Sequence, residues 1–310
     1  MKKLIAFALG ILLVSVIYTL SAPSTFPTKP FIFSIESGSS LTTVSSDLVA
    51  TGMISSEILF KMIVVGISLN KGVQAGEYKF EGKENTFDIA KRLVSGDHRQ
   101  KRIIVTIPEG TNVRDMAQIF LKKLPNFNVA DFVKLASPEE GYLYPDTYTF
   151  FENVTIEEIL KTMKVNFNTK IGSLEKEIIS FKRSQADIIN MAAILEKESK
   201  TVVDSKIIAG ILWKRFDEGI PLQVDAPFYY LTGKTGPYTL DDLKIKSAYN
   251  TYLNKGLPAG PISNPGMLSI EAAITPTKTS YYYYLTGKDG KMYYADTYEG
   301  HLSNKNKYLR

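Results

Sequence analysis

Residues 191–200 read MAAILEKESK, an apolar run that enters Glu196, Lys197 and Glu198 with no turn residue between. A carboxyl at the end of a buried helix suits general acid catalysis. Apolar surroundings favour its neutral form and keep a proton available near neutral pH. Three, four and seven residues before Glu196 stand Ala193, Ala192 and Ile189, an apolar line at helical spacing, whereas Glu198 stands above Leu195 and Ile194. Periodicity therefore leaves both glutamates open as the special one. The plain alternative is a buried helix whose end meets water. Downstream, Gln223 and Asp225 fall on the strand-like PLQVDAPFYYL. Residues 247–266, SAYNTYLNKGLPAGPISNPG, form a stretch dense in Gly, Pro and Asn. So long a loop in a compact domain reads as functional, with exposed amides suited to close approach of a sugar; its plain reading is a surface connection.

Composition removes other chemistries. The 310 residues include no cysteine and only two histidines, His98 and His301. Disulfides, zinc ribbons, iron–sulfur clusters and thiol catalysis are excluded, as are multi-histidine metal sites. His98 lies in the basic run HRQKR and reads as part of a solvated face; His301 has no nucleophile motif nearby. The net charge of +5 suits an anionic polymer or membrane surface without identifying one. SLEK (173–176) and KTG (234–236) imitate two boxes of an acyl-serine enzyme, but the middle S-x-N box is missing: Asn190, the only asparagine between Lys176 and Lys234, sits in IIN.

The elements that must position these residues follow from pattern. Lys2 and Lys3 precede an uncharged stretch, residues 4–20, which reads either as a signal peptide cleaved after Ser21 or Ala22 or, since Leu20 makes the latter site poor, as a signal anchor over 1–21, with the remainder exported by the positive-inside rule. Residues 22–30 read as a Pro/Ser/Thr linker lifting the folded part off the membrane. IESGSSLTTVSSDLV from Ile35 and IPEGTNVRDMAQIFL from Ile107 are two copies of one strand–glycine turn–helix unit. Gly38 matches Gly110, Val44 matches Met116 and Leu48 matches Phe120, with Ser39, Ser40, Thr111 and Asn112 as candidate N-caps. Further helices are expected from Ser55 and from Asn85 to Gly96, around 112–123, 129–136, 155–168 and 173–182, and from Ser184 through the opening stretch. Another ends at Gly219. GEYKF reads as a strand, IIVTI (103–107) as a buried-type strand, and SYYYYLTGKDGKMYYADTY as a β-hairpin turning at Gly287–Gly290. The fold class is α+β.

EGYLYPDTYTF (140–150), AAILEKES (192–199), LQVD (222–225), SAYNTY (247–252) and GLPAGPISNPG (256–266) occur in this order. Together they resemble the YceG/MltG family of endolytic murein transglycosylases. The resemblance implies a membrane anchor, a LysM-like βααβ module over residues 31–100 that binds glycans, and a larger mixed α/β catalytic domain over 101–310. It implies Glu196 as the catalytic residue, with Gln223, Asp225, Tyr249, Asn250 and Asn264 lining the glycan groove. Val224 and Ala226 stand where Thr and Pro are frequent in the family, and Ser263 where Cys is often found. The expected reaction breaks the bond between N-acetylmuramic acid and N-acetylglucosamine within nascent strands, leaves 1,6-anhydro ends, and so terminates strand elongation. No cofactor is expected and no nucleic acid. The partners implied are peptidoglycan strands, the membrane and cell-wall synthases, with one span of the bacterial cytoplasmic membrane and the catalytic domain outside it. A muramidase using Asp225 as second carboxylate, an acyl-serine enzyme, and a non-catalytic glycan-binding scaffold are the alternatives.

Overall fold

The computed structural model describes residues 21–68, 72–99, 101–124, 127–199 and 201–309. The anchor expected over residues 4–20 lies outside the described residues, and among these no helix is long and apolar enough to cross a membrane. The chain divides into two compact units, Met1–Lys101 and Arg102–Arg310.

The first unit runs β1 (Phe31–Ile35), α1 (Leu41–Ala50), α2 (Glu57–Ser68), β2 (Gly76–Phe80) and α3 (Thr86–Ser95). The two strands are antiparallel, with Phe31 opposite Phe80 and Ile35 opposite Gly76. Ser40 and Asn85 cap α1 and α3 through their side chains, satisfying free N–H groups, and α3 closes at Gly96 in the left-handed region. Leu48, Phe60, Tyr78, Phe80, Ile89 and Leu93 form the core. Two sequence expectations change here. The linker is joined to the fold: Ala22 packs against this core, Phe26 is 2% exposed and meets the rings of Phe31 and Phe80, and Thr25 Oγ1 donates to the Gly52 carbonyl at 3.2 Å. His98 is not on a solvated face. It is buried, stacked on Tyr78 at 4.3 Å, and sits where a Cβ on Gly76 would come within 2.5 Å of its ring. The basic run hid an aromatic contact that only the tertiary fold creates.

The second unit begins with β3 (Arg102–Thr106), α4 (Val113–Lys123), α5 (Val129–Ala136), β4 (Thr147–Phe151) and α6 (Ile156–Gly172). Strands β3 and β4 are antiparallel, with Arg102 opposite Phe151. Burial along β3 alternates, so this is a half-buried strand with Ile103 and Val105 inward, not a fully buried one. The two strand–turn–helix copies are real structural repeats. Gly38 and Gly110 both have positive φ, +86° and +72°, a conformation that side chains other than glycine resist. Their matched residues Val44, Met116, Leu48 and Phe120 are all at most 2% exposed.

Next come α7 (Glu175–Phe181), α8 (Gln185–Glu198), α9 (Val202–Asp217), α10 (Ala226–Thr232), α11 (Met267–Ile274), β5 (Tyr283–Thr286), β6 (Met292–Ala295) and α12 (Tyr298–Tyr308). Helix α8 is the centre of this part. Ile188, Ile189 and Met191 through Leu195 are all fully buried, as a helix that is apolar all round must be. Ser184 caps it. The stretch read as strand-like, PLQVDAPFYYL, instead becomes a loop through Asp225 and then α10, which Asp225 precedes directly. Gln223 departs most, with φ +53°. Its N–H donates to the Thr251 carbonyl, and Val224 N–H to Thr251 Oγ1. These loop-to-loop bonds replace any sheet ladder.

The hairpin forms at the residues expected, with Tyr283 opposite Ala295 and Thr286 opposite Met292. The acyl-serine imitation has no structural basis. Ser173 Oγ donates to the Lys170 carbonyl, and Lys234 is bound to Asp242 at 2.8 Å.

Candidate active site

The end of α8 sends its two glutamates to different surroundings. Glu196 Oε2 accepts the N–H of Gly266 at 2.9 Å, immediately before α11. The same side holds the glycine turn of the second repeat: a Cβ on Gly110 would meet Glu196 Cγ at 3.0 Å. Glu109 crowds Gly266 so closely that a Cβ would lie 1.9 Å from its Oε1. Burial and then the charge of Glu196 push the Glu109 carboxyl above its ordinary range. This side is a clasp between the turn at 109–111, the loop at 264–266 and α8.

Glu198 lines a cavity of about 520 Å³ together with Arg215, Gln223, Asp225, Tyr252, Tyr283 and Tyr284. Tyr298 and His301 of α12 border it as well. Tyr284 Oη donates to Glu198 Oε2 at 3.1 Å. Burial pushes the Glu198 carboxyl up to about 7, and the nearby charge of Asp225 adds to this. The Tyr284 hydroxyl and the Ala226 backbone N–H work in the other direction. Tyr252 Oη holds Asp225 Oδ1 at 2.7 Å. The result is a carboxyl largely enclosed by protein, open on one edge to the cavity, and beside a second, exposed carboxylate.

Arg215 organises the cavity wall. It is 7% exposed and gives two bonds to the Pro221 carbonyl, at 2.7 and 3.1 Å. It also donates to the Tyr282 carbonyl at 3.1 Å and to Gln223 Oε1 at 2.8 Å. One guanidinium thus ties α9, the 221–225 loop and the aromatic hairpin together and holds the Gln223 side chain, while the Thr251 bonds hold its left-handed backbone. Non-glycine residues in that region carry strain that persists only where the surroundings impose it.

Of the residues expected at the site, Gln223 and Asp225 are on the cavity with Glu198. Tyr249, Asn250 and Asn264 do not line it. Tyr249 packs on Tyr230 with ring centroids 5.1 Å apart. Asn250 is 0% exposed, its amide donating to the Leu243 and Ile245 carbonyls and its Oδ1 accepting Tyr252 N–H. Asn264 is also 0% exposed: it donates to Thr111 O and Glu140 Oε1 and accepts from Gly141 and Leu143 N–H. All the ordinary valences of its amide are used, so none is left for a sugar. These asparagines spool the backbone of the loop rather than expose it. Glu140 itself is pushed up to about 7 by burial, against the Val113 N–H and the Asn264 amide. It belongs to this buried join and is not on the cavity. Arg215, Tyr252, Tyr284 and His301 were not among the residues expected at the site, and periodicity had left Glu198 open beside Glu196. The tyrosine-rich hairpin was a visible signal for part of the wall, but nothing local connects it to the end of α8, 86 residues away for the Tyr284–Glu198 pair.

The YceG-like family model matches residues 33–307. The chain belongs to the YceG-like family. Among its relatives is the endolytic murein transglycosylase of Bacillus subtilis (strain 168), 31% identical over 89% of this chain and 84% of that protein. The endolytic murein transglycosylase of Streptococcus pneumoniae serotype 2 is 28% identical over 87% of this chain. This YceG-like chain spans 57% of the length of that longer relative. A 2.6 Å crystal structure of a yceG-like protein from Listeria monocytogenes matches with TM-score 0.61 and 31% identity, covering 89% of this chain and 99% of that one. The mixed architecture of many helices and small antiparallel sheets is therefore that of a YceG-like structure.

Proposed function

We propose that this YceG-like protein is an endolytic murein transglycosylase, a lytic lyase that cleaves peptidoglycan strands, with Glu198 as its general acid and base. The observation that carries the assignment is the coincidence in one residue of an enclosed carboxyl, a pKa pushed up to about 7 and a position on the cavity. The assignment moves from Glu196, which the family resemblance had suggested. The Glu196 carboxylate is engaged by the Gly266 N–H on the clasp side, and Glu196 is not among the cavity-lining residues.

Protonated Glu198 delivers its proton to the glycosidic oxygen as the bond from C1 of N-acetylmuramic acid breaks. The resulting carboxylate accepts the proton of the C6 hydroxyl, which attacks C1 and closes the 1,6-anhydro ring. The leaving saccharide keeps the first proton and Glu198 recovers the second, so no water is consumed. Asp225 repels the ionised form of Glu198 and offers negative charge beside the positive charge developing on the sugar ring. Gln223, held through its Oε1 by Arg215, retains amide donors for the saccharide. The tyrosines of the wall supply apolar ring area for sugar faces.

A second reading follows from Asp225. If water attacks C1 with Asp225 as base, the same cavity hydrolyses the strand and the enzyme is a muramidase. Mass spectrometry of digested glycan strands separates the two, because the lytic route leaves muramyl ends lighter by one water. Reducing ends would keep Glu198 and replace the lyase. Full cleavage by Glu198→Gln would remove the acid assignment altogether.

The finer reading is a single-pass protein of the bacterial cytoplasmic membrane. Residues 4–20 anchor it, the first unit is a LysM-like glycan-binding module, and the second cuts nascent strands near cell-wall synthases to terminate elongation. The support is the Lys2–Lys3 and apolar leader pattern together with the βααβ order of β1, α1, α2 and β2. Protease accessibility of the second unit in intact spheroplasts tests the topology; protection from external protease would overturn it.

A further inference from the structure

In the first unit, α2 carries apolar residues on both sides. Phe60 and Val64 point into the core at 0% and 1% exposure. On the opposite side Ile58, Met62 and Val65 are 72%, 61% and 67% exposed. At helical pitch these three fall within an arc of about 60°. Isolated exposed apolar residues are ordinary, but a stripe of three large ones along one helix face is an interaction surface.

The start of the fold indicates what covers it. Thr25 is bonded to Gly52, in the turn leading into α2, and Phe26 is already in the core. Only five peptide steps separate Leu20, the end of the apolar leader, from Thr25. Fully extended, they reach at most about 18 Å, the length of the 12-residue α2 itself. An anchored chain therefore cannot hold this module far from the bilayer.

We propose that the face of α2 formed by Ile58, Met62 and Val65 rests on the lipid surface beside the anchor, with the three side chains in the headgroup–acyl boundary. The inference rests on the reading of residues 4–20 as an anchor. Such a helix lies in the interface plane with its apolar face down, stabilised by the area removed from water. Tethering raises the effective concentration of the surface, so a stripe too small to bind a membrane alone becomes sufficient. The module is thereby oriented as well as attached, leaving its remaining faces for the glycan.

The chain has no cysteine, so single-cysteine variants label cleanly. The full chain, reconstituted into phosphatidylethanolamine–phosphatidylglycerol nanodiscs, is labelled with an environment-sensitive fluorophore at Ile58→Cys, Met62→Cys or Val65→Cys. Ser46→Cys on α1 is the control. The expected result is blue-shifted emission at the three α2 positions, quenched by doxyl-labelled lipid, with neither effect at position 46. Chain retained in nanodiscs with water-like emission at all three positions overturns the inference alone. A blue shift without lipid quenching also overturns it and points to a protein or second copy on the stripe. Chain that fails to remain with the nanodiscs overturns the anchor reading and the inference with it.

Discussion

Glu196 and Glu198 are two residues apart on one helix, which turns them about 200° from each other. The first faces a join made of backbone: the Gly266 N–H, the Gly110 turn and the loop held by Asn264. The second faces a cavity made of side chains: Arg215, Gln223, Asp225, Tyr252 and Tyr284. Both are acidic, both end the same apolar run, and both lie in partial burial. What differs is the partner. The Glu196 carboxyl is bound into a join of backbone; the Glu198 carboxyl, enclosed beside another negative charge, is stabilised as an acid. Burial at the end of a hydrophobic helix is thus insufficient to assign a catalytic role, and the neighbours decide it.

The largest expected effect breaks the two glutamates apart. Glu198→Gln keeps size but removes the transferable proton, and cleavage should fall by the ~10²–10⁴-fold of lost general acid–base catalysis. Glu196→Gln retains an oxygen to accept the Gly266 N–H, and its loss of charge also relieves repulsion with Glu109. Its activity should stay within about tenfold of the parent, less than the smallest loss expected for a general acid. Glu196→Ala leaves that N–H without a protein partner and should cost about 1–3 kcal/mol in denaturant unfolding. Release of anhydro-ended fragments, read together with unfolding midpoints, checks all three. A Glu196→Gln loss equal to that of Glu198→Gln would erase the division between the two sides.

Much of this was legible before the structure, and the misses have a common cause. The repeat, the N-caps Ser40 and Asn112, the helix bounded by Asn85 and Gly96 and the tyrosine hairpin are local features. They depend on residues within one turn or hairpin, and pattern captures them. What pattern could not supply was direction. Asn250 and Asn264 occur in a loop that looked exposed, yet they turn inward and spend their amides on backbone. The choice between Glu196 and Glu198 depends on α11 and the hairpin, elements whose contact with α8 is a property of the tertiary fold.

The clasp side can be tested through Asn264. Replacement by Ala strands the Gly141 and Leu143 N–H groups and leaves Glu140 without its amide donor. Each unsatisfied buried group costs about 1–3 kcal/mol, so the loss of stability should exceed that of any cavity substitution that preserves bonding. At a temperature where the variant remains folded, its KM should be close to that of the parent. A raised KM in a fully stable Asn264→Ala protein would return this residue to the glycan groove and blur the distinction between join and cavity.

On the cavity side, Arg215→Lys keeps the charge but replaces a planar fork of separate nitrogens by one ammonium nitrogen, whose three N–H groups cannot reach the Pro221 and Tyr282 carbonyls and Gln223 together. The Gln223 side chain is then released from its fixed position. Losing one ordered contact to the saccharide corresponds to about 1 kcal/mol, roughly a fivefold rise in KM with a smaller change in kcat. Unchanged kinetics would mean that the Gln223 amide keeps its place without the guanidinium.

The finest effect concerns the neighbours that tune Glu198. As a general acid it must be protonated, so kcat/KM should fall on the alkaline side with an inflection near the value of about 7 to which burial and Asp225 push it. The two neighbours then predict opposite movements. Asp225→Asn removes a negative charge that disfavours ionisation, so Glu198 ionises at lower pH and the alkaline limb moves toward acid. Tyr284→Phe removes a hydroxyl that donates to the carboxylate, so ionisation becomes harder and the limb moves toward alkali. A pH series of anhydro-end formation for the parent and both variants measures this. Opposed displacements identify Glu198 as the titrating acid, because no other carboxyl on the cavity has Asp225 raising it and Tyr284 lowering it; displacements of the same sign, or none, would move the acid to another residue.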